Sequence, residues 1–351
     1  FYDIIYGNGG FDVIIGNPPY VEYSQTKKIY SLEPFYYKTL SCGNIYTMVF
    51  ERCKNIVHKK SFVGMIVQLP IVCSDRMIPA QKLLTSGRSW IYTFDDRPGK
   101  LFDNLEHIRA TIFISQDGYP CGYTTKYIRW YSETRSFLFK TISLHELVNV
   151  DYSIPKIGNR IASKILEKIL CENAIGAYFS RRSKYPIYYH NAPQYFIRIT
   201  NFVPYFVNAE GETVISSHVK PIFLNNEEER NIVLPILNSS LFYWYNLIMS
   251  NCRDLTSREL TNFPMDLETF SERKELSVLA IKLMKDYQSN AIRKVCYYKA
   301  TGRVEFDEYH PSYSKPIIDE IDKVLAKHYG FTEEELDFII NYDIKYRMGD
   351  E

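Results

Sequence analysis

The residues in this sequence best suited to chemistry lie near its start, in the stretch Asn17-Pro18-Pro19-Tyr20. The stretch directly follows an apolar run, FDVIIG at 11–16, which predicts a buried parallel strand. Proline fixes its own φ, lacks an N–H and keeps the preceding residue out of the helical region. Asn17 and Pro18 are therefore expected to be extended. Such a rigid backbone at the end of a strand can hold a flat, polar ligand; the alternative is a simple proline terminator of the strand.

With its preceding strand, this stretch resembles the catalytic motif of AdoMet-dependent methyltransferases that act on amino groups, best known in the N6-adenine DNA methyltransferases. The amino group of adenine is a poor nucleophile, because its lone pair is delocalised into the ring. The resemblance implies that the side-chain oxygen of Asn17 and the carbonyl of Pro18 accept the two amino hydrogens and free that lone pair. It also implies that Pro19 belongs to the catalytic segment and that Tyr20 stacks on a base that has left the duplex. Positioning of the base and these hydrogen bonds then suffice for methyl transfer, and no covalent nucleophile is needed.

Segments further along the chain resemble the TaqI-like adenine methyltransferases. The stretch GNIYTMVFERC resembles the helix after the motif, with Asn44 and Tyr46 in matching places, and SFVGMIVQLP resembles their next strand, ending in Pro70. The stretch PGKLFDNLEHIRATIFI resembles a later hairpin, in which an aromatic residue at the position of Phe102 packs against the flipped base. Phe102 is equally compatible with ordinary core packing.

The cofactor that the resemblance implies is S-adenosyl-L-methionine (AdoMet). The fold binds AdoMet through a glycine-rich turn after its first strand and an acidic residue after its second, and no such unit precedes residue 11. The glycines of YGNGG at 6–10 come before a strand rather than between a strand and a helix. The chain also begins with Phe1 rather than methionine. We therefore expect a fragment that has the target-base side of the active site, lacks most of the cofactor side and is inactive alone.

The composition is that of a globular protein of two or three domains, with 351 residues, 46% hydrophobic and 24% charged. The 30 tyrosines give weak support for a binding surface. The seven cysteines are scattered without a C-x-x-C pair, which argues against a zinc site and favours free thiols in a reducing bacterial cytoplasm. No apolar run approaches the ~18 residues of a membrane span, and we predict neither a signal peptide nor a metal site.

The pattern of elements predicts a doubly wound α/β domain at the start of the chain. Its predicted helices are at 44–57 and 76–87, and its further strands at 61–70, 90–96 and 109–116. After about residue 118 the segments become shorter, with helical patterns at 159–172, 227–250, 268–300 and 315–348. Gly330 is expected to stop a helix, and Thr332 with Glu335 forms a predicted capping box.

Residues 151–265 resemble the TaqI-like target-recognition domain, and the C-terminal helices resemble the end of large bacterial methylases that fuse modification with restriction (type IIG). The expected fold class is α/β plus α+β. The distal half of a Rossmann-like AdoMet-methyltransferase domain (1–117) precedes a target-recognition domain (118–265) and a helical C-terminal region (266–351). The implied partner is double-stranded DNA, and a nuclease domain in the same full-length polypeptide stays open. Two alternatives remain: a methyltransferase acting on RNA or protein, and a non-catalytic DNA-specificity module with a vestigial motif.

The middle segment also carries the positive charge of the chain, because residues 118–265 contain 16 basic and 12 acidic side chains within an overall charge of +1. Basic groups neutralise phosphates while aromatic rings pack on sugars or bases. The residues predicted to contact DNA are Arg181, Arg182, Lys184, Tyr188, Tyr189, Arg198 and Arg258. The alternatives are a solvated, tyrosine-rich surface and, for Arg258, a structural ion pair. His190 and His218 have no nearby ligand-like partners that would indicate a metal.

Overall fold

The computed structural model describes residues 1–29, 31–33, 35–102, 107–193 and 195–347. Contacts within the chain divide it into two units. The first contains residues 1–163 and 247–251, and the second contains residues 164–246 and 252–351. Both units mix helices and strands, so the predicted α/β character of the chain is confirmed.

A six-stranded mixed sheet forms the centre of the first unit. Its strands are β1 (Phe11–Gly16), β2 (Val57–Gln68), β3 (Arg88–Phe94), β4 (Ala110–Gln116), β5 (Cys121–Ile128) and β6 (His145–Glu146), in the spatial order β1-β2-β4-β3-β5-β6. β1 and β2 are parallel, β4 is antiparallel to both of its neighbours, and β5 is parallel to β3. The carboxyl ends of β1, β2 and β3 therefore meet at one edge of the sheet, next to the amino end of β4.

Apart from the short helix at Tyr23–Thr26, which the sequence analysis did not predict, the helices of this unit lie where the sequence predicts them. They are α1 (Tyr23–Thr26), α2 (Ile45–Ile56), α3 (Ile78–Thr85) and the start of α4 (Arg160–Ile169), with short 3-10 segments at Lys38–Cys42, Leu69–Val72, Asp75–Met77 and Ser132–Lys140 and a π-helical turn at Asp3–Gly7. Helix α2 packs on the sheet through Phe50, whose ring meets that of Phe113 on β4 at 4.7 Å. Both rings are fully buried. The amphipathic spacing in α2 thus serves the burial of one face, as the sequence predicted.

The first strand differs from its prediction in one respect. β1 is parallel, as expected, but it is an edge strand and is not buried: the side chains of Val13 and Ile15 are 52% and 83% exposed. An apolar run shows that a strand can be buried, and it does not show which of its faces the rest of the chain covers.

The sheet also extends beyond residue 117, where we placed the end of the first domain. β5 pairs in parallel with β3, and β6 pairs with β5. The predicted boundary therefore falls inside the sheet, because the Gly-Tyr-Pro turn at 118–120 connects two strands of one sheet rather than two domains. The functional assignment of the three segments remains a prediction.

The second unit contains two small antiparallel sheets. One has the order β7-β11-β8-β9, formed by β7 (Phe179–Ser180), β8 (Pro186–His190), β9 (Ile199–Thr200) and β11 (Val219–Leu224). The other has the order β10-β13-β12, formed by β10 (Phe206–Val207), β12 (Ile292–Tyr298) and β13 (Gly302–Glu308). The helices are α5 (Glu227–Ile236), α6 (Ser240–Met249), α7 (Ser257–Thr261), α8 (Arg273–Asn290), α9 (Pro311–Tyr329), α10 (Glu333–Ile340) and α11 (Ile344–Arg347), with a 3-10 turn at Ile175–Tyr178.

Two of the long predicted helices are wrong in extent. The helix expected over 227–250 is two helices, α5 and α6, bent by 70° at the break. Pro235 lies in the last turn of α5, where its missing N–H weakens the helix, and the side chain of Asn238 then bonds the carbonyl of Leu234. The helix expected over 268–300 ends at Asn290, and a hairpin of β12 and β13 follows. The β-branched and aromatic residues of IRKVCYY (Ile292, Val295, Tyr297 and Tyr298) are the strand signal that the charged composition concealed.

The last helices follow the sequence closely. α9 ends at Gly330, which has a left-handed φ of 63° that glycine adopts without strain. Thr332 and Glu335 form the predicted capping box, with Oγ1 of Thr332 accepting from the N–H of Glu335 and the Glu335 carboxylate accepting from the N–H of Thr332. Both predictions are confirmed.

Among the residues that the structure describes, no single helix is long and apolar enough to cross a membrane, although α5 and α6 pass the length and composition test as a bent pair. None of the seven cysteines, all of which lie in described parts of the chain, forms a disulfide.

Candidate functional site

The segment Asn17–Tyr20 leaves the sheet at the carboxyl end of β1. Pairing of β1 with β2 ends at Gly16, opposite Met65. The side chain of Asn17 is exposed, Pro18 is buried and Pro19 is exposed. Within the described part of the chain, neither the carboxamide of Asn17 nor the carbonyl of Pro18 takes part in a hydrogen bond. Within the described residues, two acceptor oxygens thus have no internal donor, one on the exposed Asn17 and one on the buried Pro18.

The backbone after this segment is fixed against the start of α2. The carbonyl of Val21 accepts from the N–H of Ile45 at 2.9 Å, and the N–H of Tyr23 donates to the carbonyl of Gly43 at 2.7 Å. Gly43 has a left-handed φ of 73°, which lets the chain turn into the helix at this point. The segment therefore has a rigid connection at both of its ends, to β2 before it and to α2 after it.

Asn44, which the sequence matched to the motif family, caps α2 and joins it to this backbone. Its side-chain oxygen accepts from the N–H of Tyr46, and its side-chain nitrogen donates to Glu22 at 3.3 Å. Glu22 also forms a two-point ion pair with Arg76, at 2.8 and 3.0 Å. The sequence analysis did not identify Glu22 or Arg76. The position of Glu22, two residues after the motif, was the only sign of such a pair.

Tyr20 is a half-buried ring whose position is fixed at both ends. Its hydroxyl donates to the carbonyl of Ile66 on β2 at 3.1 Å, and its ring meets the edge of Tyr46, with centroids 6.2 Å apart. Burial raises the pKa of Tyr20 to about 12, so the hydroxyl keeps its proton at neutral pH. Tyr46 itself is fully buried. Tyr20 is consequently a fixed, neutral aromatic surface beside the two acceptor oxygens of Asn17 and Pro18.

Phe102 lies at the same edge of the sheet as Asn17, in the connection that leaves the end of β3 and enters β4. It is half buried, and the neighbouring Leu101 packs against a core cluster that contains Phe94 and Trp130. Arg135 donates to the carbonyls of Lys100 and Leu101 at 3.2 and 2.9 Å. The residues after Phe102, 103–106, lie outside the described part of the chain, and the contact of Phe102 with a base remains a prediction.

A buried charge cluster at the base of this connection was missed by the sequence analysis. Asp95 and Asp96 follow β3 directly and are almost fully buried. The Nε of Arg109 lies 3.4 Å from an oxygen of each aspartate, and the Nε of Arg129 donates to Asp95 at 2.9 Å. Because Asp96 lies near the end of β3 and Arg109 directly before β4, their ion pair joins the two ends of the connection that carries Phe102. An Asp-Asp pair at a strand end with an Arg before the next strand is the signal that could have identified it.

The residues predicted to contact DNA fall into two groups. Arg181, Arg182 and Lys184 are exposed in the turn between β7 and β8, although the ammonium of Lys184 lies over the ring of Tyr185. Tyr188 is half buried, whereas Tyr189 is only 7% exposed. Successive side chains on a strand point to opposite faces, so Tyr189 belongs to the core of its unit and the DNA contact predicted for it is not supported.

Arg258 and His190 have surroundings within the second unit that explain their positions. The guanidinium of Arg258 donates to Glu259 at 2.6 Å, and Glu259 forms a capping box with Thr256 at the start of α7. This ion pair is the alternative given for Arg258 above. The ring of His190 stacks on that of His218 with centroids 5.4 Å apart. Burial, together with the charge of Arg198, lowers the pKa of His190 to about 4.

The comparison with known protein families concerns the first part of the chain. Residues 1–85 are similar to the Eco57I restriction-modification methylase family. This range includes β1, the segment Asn17–Tyr20, α2, β2 and α3. The resemblance to a restriction-modification methylase predicted from the sequence is thereby confirmed. No curated protein matches the chain.

Solved structures of restriction-modification enzymes also align with the chain, each at 10% sequence identity. The type IIG restriction endonuclease BpuSI aligns over 96% of this chain and 54% of its own length, with a TM-score of 0.29. A nuclease-deletion mutant of the type ISP enzyme LlaGI, in complex with a DNA substrate mimic, aligns over 87% and 46%, with a TM-score of 0.41. The DrdV–DNA complex aligns over 82% and 46%, with a TM-score of 0.36. The chain thus spans about half the length of these proteins.

The glycines near the start of this methylase-like region do not form a cofactor-binding turn. Gly9 and Gly10 lie between the π-helical turn and β1, with positive φ values of 76° and 130°. A side chain at Gly10 would come within 2.7 Å of the backbone of residues 56–58, so this glycine allows close packing at the start of β2. Within the described residues, no glycine-rich turn connects a strand to a helix in the way that AdoMet binding requires. These residues do not fit the ribose and amino-acid groups of AdoMet. Nor do they contain a group of three or more His, Cys, Asp or Glu side chains that could hold a metal.

Proposed function

We propose that this chain forms the base-binding side of a restriction-modification DNA methyltransferase that methylates the N6 amino group of adenine. The observation that carries the proposal is the pair of acceptor oxygens, on the Asn17 side chain and the Pro18 backbone, at the carboxyl end of β1. They lie within the residues that are similar to the methylase family, 1–85. A ligand at this edge of an open α/β sheet is expected from its topology.

The two acceptors explain how a poor nucleophile is activated. Each oxygen accepts a hydrogen bond from one N–H of the amino group, which draws the nitrogen toward a tetrahedral shape and localises its lone pair. Because both oxygens make no other hydrogen bond in the described structure, they need not exchange an internal partner for the substrate. Acceptors fixed before the reaction cost no reorganisation as the charge develops.

The target base must leave the duplex before it reaches these oxygens, and this requires an aromatic surface. Tyr20 supplies one, because the bond from its hydroxyl to Ile66 fixes the plane of its ring. Phe102, in the β3–β4 connection at the same edge, is proposed to supply a second. The buried pairing of Asp96 with Arg109 holds the two ends of the Phe102 connection together.

AdoMet is the proposed methyl donor, and its sulfonium methyl group is strongly electrophilic by itself. Since the residues described here do not form its glycine-rich binding turn, we assign to this chain only the binding and activation of the acceptor amino group. The duplex around the target base is proposed to contact Arg181, Arg182 and Lys184, whose charges are exposed.

The proposal is tested with the complete gene product, labelled AdoMet and unmethylated plasmid DNA, with digestion to nucleosides and identification of the methylated product. We expect N6-methyldeoxyadenosine with the wild-type protein and its near loss with Asn17→Ala. Parallel reactions with RNA and with a cell extract freed of nucleic acid identify another acceptor. Methylation of either in place of DNA would disprove the proposed substrate. Binding of DNA without any methyl transfer would indicate a specificity module instead.

A further inference from the structure

Arg198 occupies an unusual position among the cations of the second unit. It precedes β9 and is half buried, and its guanidinium lies over the ring of Tyr309, 4.2 Å from the centroid. Tyr309 is in turn held by Tyr287, with centroids 5.8 Å apart. Tyr287 is fully buried and donates its hydroxyl to Asn238 at 3.0 Å. The aromatic surface under Arg198 is therefore part of the core, and stacking on it fixes the plane of the guanidinium.

This guanidinium has no acceptor within the described residues, where it forms neither a hydrogen bond nor an ion pair. The carboxylate of Asp307 acts on it only at a distance, because it accepts from Arg293 at 2.6 Å. Arg258, by contrast, is bonded to Glu259. An arginine offers five N–H donors and remains charged in proteins, so a half-buried one without an acceptor calls for an explanation. Solvent or a ligand with acceptor atoms can supply the missing acceptors.

The groups around Arg198 are polar, and the carboxylate of Asp307 among them is paired with Arg293. Burial and the Arg198 charge itself keep His190 neutral, and its Nδ1 accepts from the N–H of Ala192 at 3.2 Å. His218 stacks on His190 and bonds the side chain of Asn191 at 3.1 Å. A surface that neutralises phosphates is exposed and carries several cations, as at Arg181, Arg182 and Lys184. One fixed fork of donors beside a neutral His190 and a paired Asp307 instead suits a ligand with two parallel acceptors.

We propose that Arg198 is a specificity-determining residue that donates two N–H groups to O6 and N7 of a guanine in the recognised DNA sequence. The inference rests on the proposed DNA substrate and adds a base that the protein reads. In the major groove, guanine presents these two acceptors side by side, and no other base does. The planar fork of arginine matches them, and stacking on Tyr309 sets the plane in which the fork is presented.

The experiment is a binding selection from duplexes with a randomised central region, with sequencing of the bound pool for the wild-type chain and for Arg198→Lys. Lysine keeps the charge and lacks the planar fork. We expect the wild-type chain to select a guanine at one fixed position, and Arg198→Lys to reduce that preference by roughly 5- to 150-fold while preferences elsewhere persist. Arg303→Lys, at an exposed arginine that pairs with Glu305, is the matched control and should keep the guanine. Tyr309→Leu removes the stacking surface and should weaken the same guanine preference with Arg198 still present.

Several results would overturn the inference. Unchanged selection by a folded Arg198→Lys chain, checked by its circular dichroism and unfolding transition, would show that Arg198 reads no base. A variant that binds all sequences more weakly, with a salt dependence shallower by about one unit, would make Arg198 a phosphate contact. Binding of DNA by the wild-type chain without sequence preference would refute this inference and leave methyl transfer to its own assay. If the wild-type chain bound no duplex, the proposed DNA substrate would fail, and this inference with it.

Discussion

The hydroxyl of Tyr20 donates a hydrogen bond to the backbone carbonyl of Ile66, 3.1 Å away. This contact joins the segment after β1 to the neighbouring strand β2, and it fixes a ring that we propose to lie against the target base. Stability and base binding can be separated at this residue, because the hydroxyl serves the first and the ring serves the second.

Tyr20→Phe should lower the free energy of unfolding by roughly 0.5–1.5 kcal/mol, the net contribution of one intramolecular hydrogen bond, and should keep most methyl transfer. Tyr20→Ala should in addition lose about 1–3 kcal/mol of base stacking, which is about 5- to 150-fold in the affinity for a flipped base. Urea unfolding gives the first value. Titration of a duplex with a mismatched adenine gives the second, and equal affinities of the two variants would show that the ring does not touch the base.

Asn17→Ala should reduce methyl transfer by the complete gene product by about 10²–10³-fold, by analogy with the loss of one preorganised oxyanion-hole donor. DNA affinity should change little, since phosphate contacts dominate it. The exposed side chain makes no internal hydrogen bond in the described structure, so stability should stay within about 0.5 kcal/mol. Asn17→Asp, which keeps an acceptor oxygen, is the matched variant. Turnover of Asn17→Ala within a few-fold of the wild type would refute the role given to Asn17.

Replacement of Arg181, Arg182 and Lys184 together by Ala should weaken binding to all duplex sequences and flatten the salt dependence by up to about 3 units, if all three contact phosphates. The control removes three exposed cations from the acidic C-terminal segment, Lys274, Lys285 and Lys323, with the same change in net charge. Fluorescence anisotropy at several salt concentrations measures both slopes. Equal slopes for the two triple variants would place the DNA contacts elsewhere, and the region of Arg253 and Arg258 would be tested next.

The 351-residue chain should bind AdoMet weakly or not at all, because its described residues form no glycine-rich turn between a strand and a helix. Isothermal titration calorimetry with AdoMet checks this directly. Tight binding at one molecule per chain would mean that AdoMet is held by groups that the sequence and the structure have not identified.

Asp322 should make the stability of the second unit depend on pH. It accepts from the N–H groups of Ser240 and Leu241 at the start of α6, and burial raises its pKa from 3.8 to about 6. A raised folded-state pKa favours the protonated form, so the contribution is fully present below about 3.8 and is lost as pH rises through about 6.

The unfolding free energy of the wild type relative to Asp322→Asn should therefore increase as pH falls from 7 to 4, by up to about 3 kcal/mol. Urea unfolding across this range measures it. Asp319→Asn, a partly exposed carboxylate on the same helix that faces Lys315, is the control and should leave the wild-type pH profile in place. A pH-independent difference between the wild type and Asp322→Asn would contradict the assignment.

The sequence by itself determined the local features whose physics is local. Proline and glycine positions predicted the end of β1 and the end of α9, and the capping pair Thr332 and Glu335 predicted the start of α10. The residues that carry the resemblance to a restriction-modification methylase lie in one continuous stretch, which is why the sequence alone identified it. At Pro235 a proline competes with the helical pattern, and in the hairpin of β12 and β13 strand-forming residues compete with a charged composition. At both places the predicted helices extended too far.

The tertiary structure decided which side chains are exposed, which are buried in the core and which are paired with another residue. Tyr188 and Tyr189 look alike in sequence, and only the pleat of β8 separates them into a half-buried and a buried ring. The ion pairs of Glu22 with Arg76 and of Asp96 with Arg109 had only weak signals in the sequence, and the packing alone shows that the partners meet. Arg198 differs from the paired Arg258 in its surroundings rather than in its type. Packing brings Tyr309 under it from more than a hundred residues away and, among the residues that the structure describes, brings no carboxylate into hydrogen-bonding contact with it.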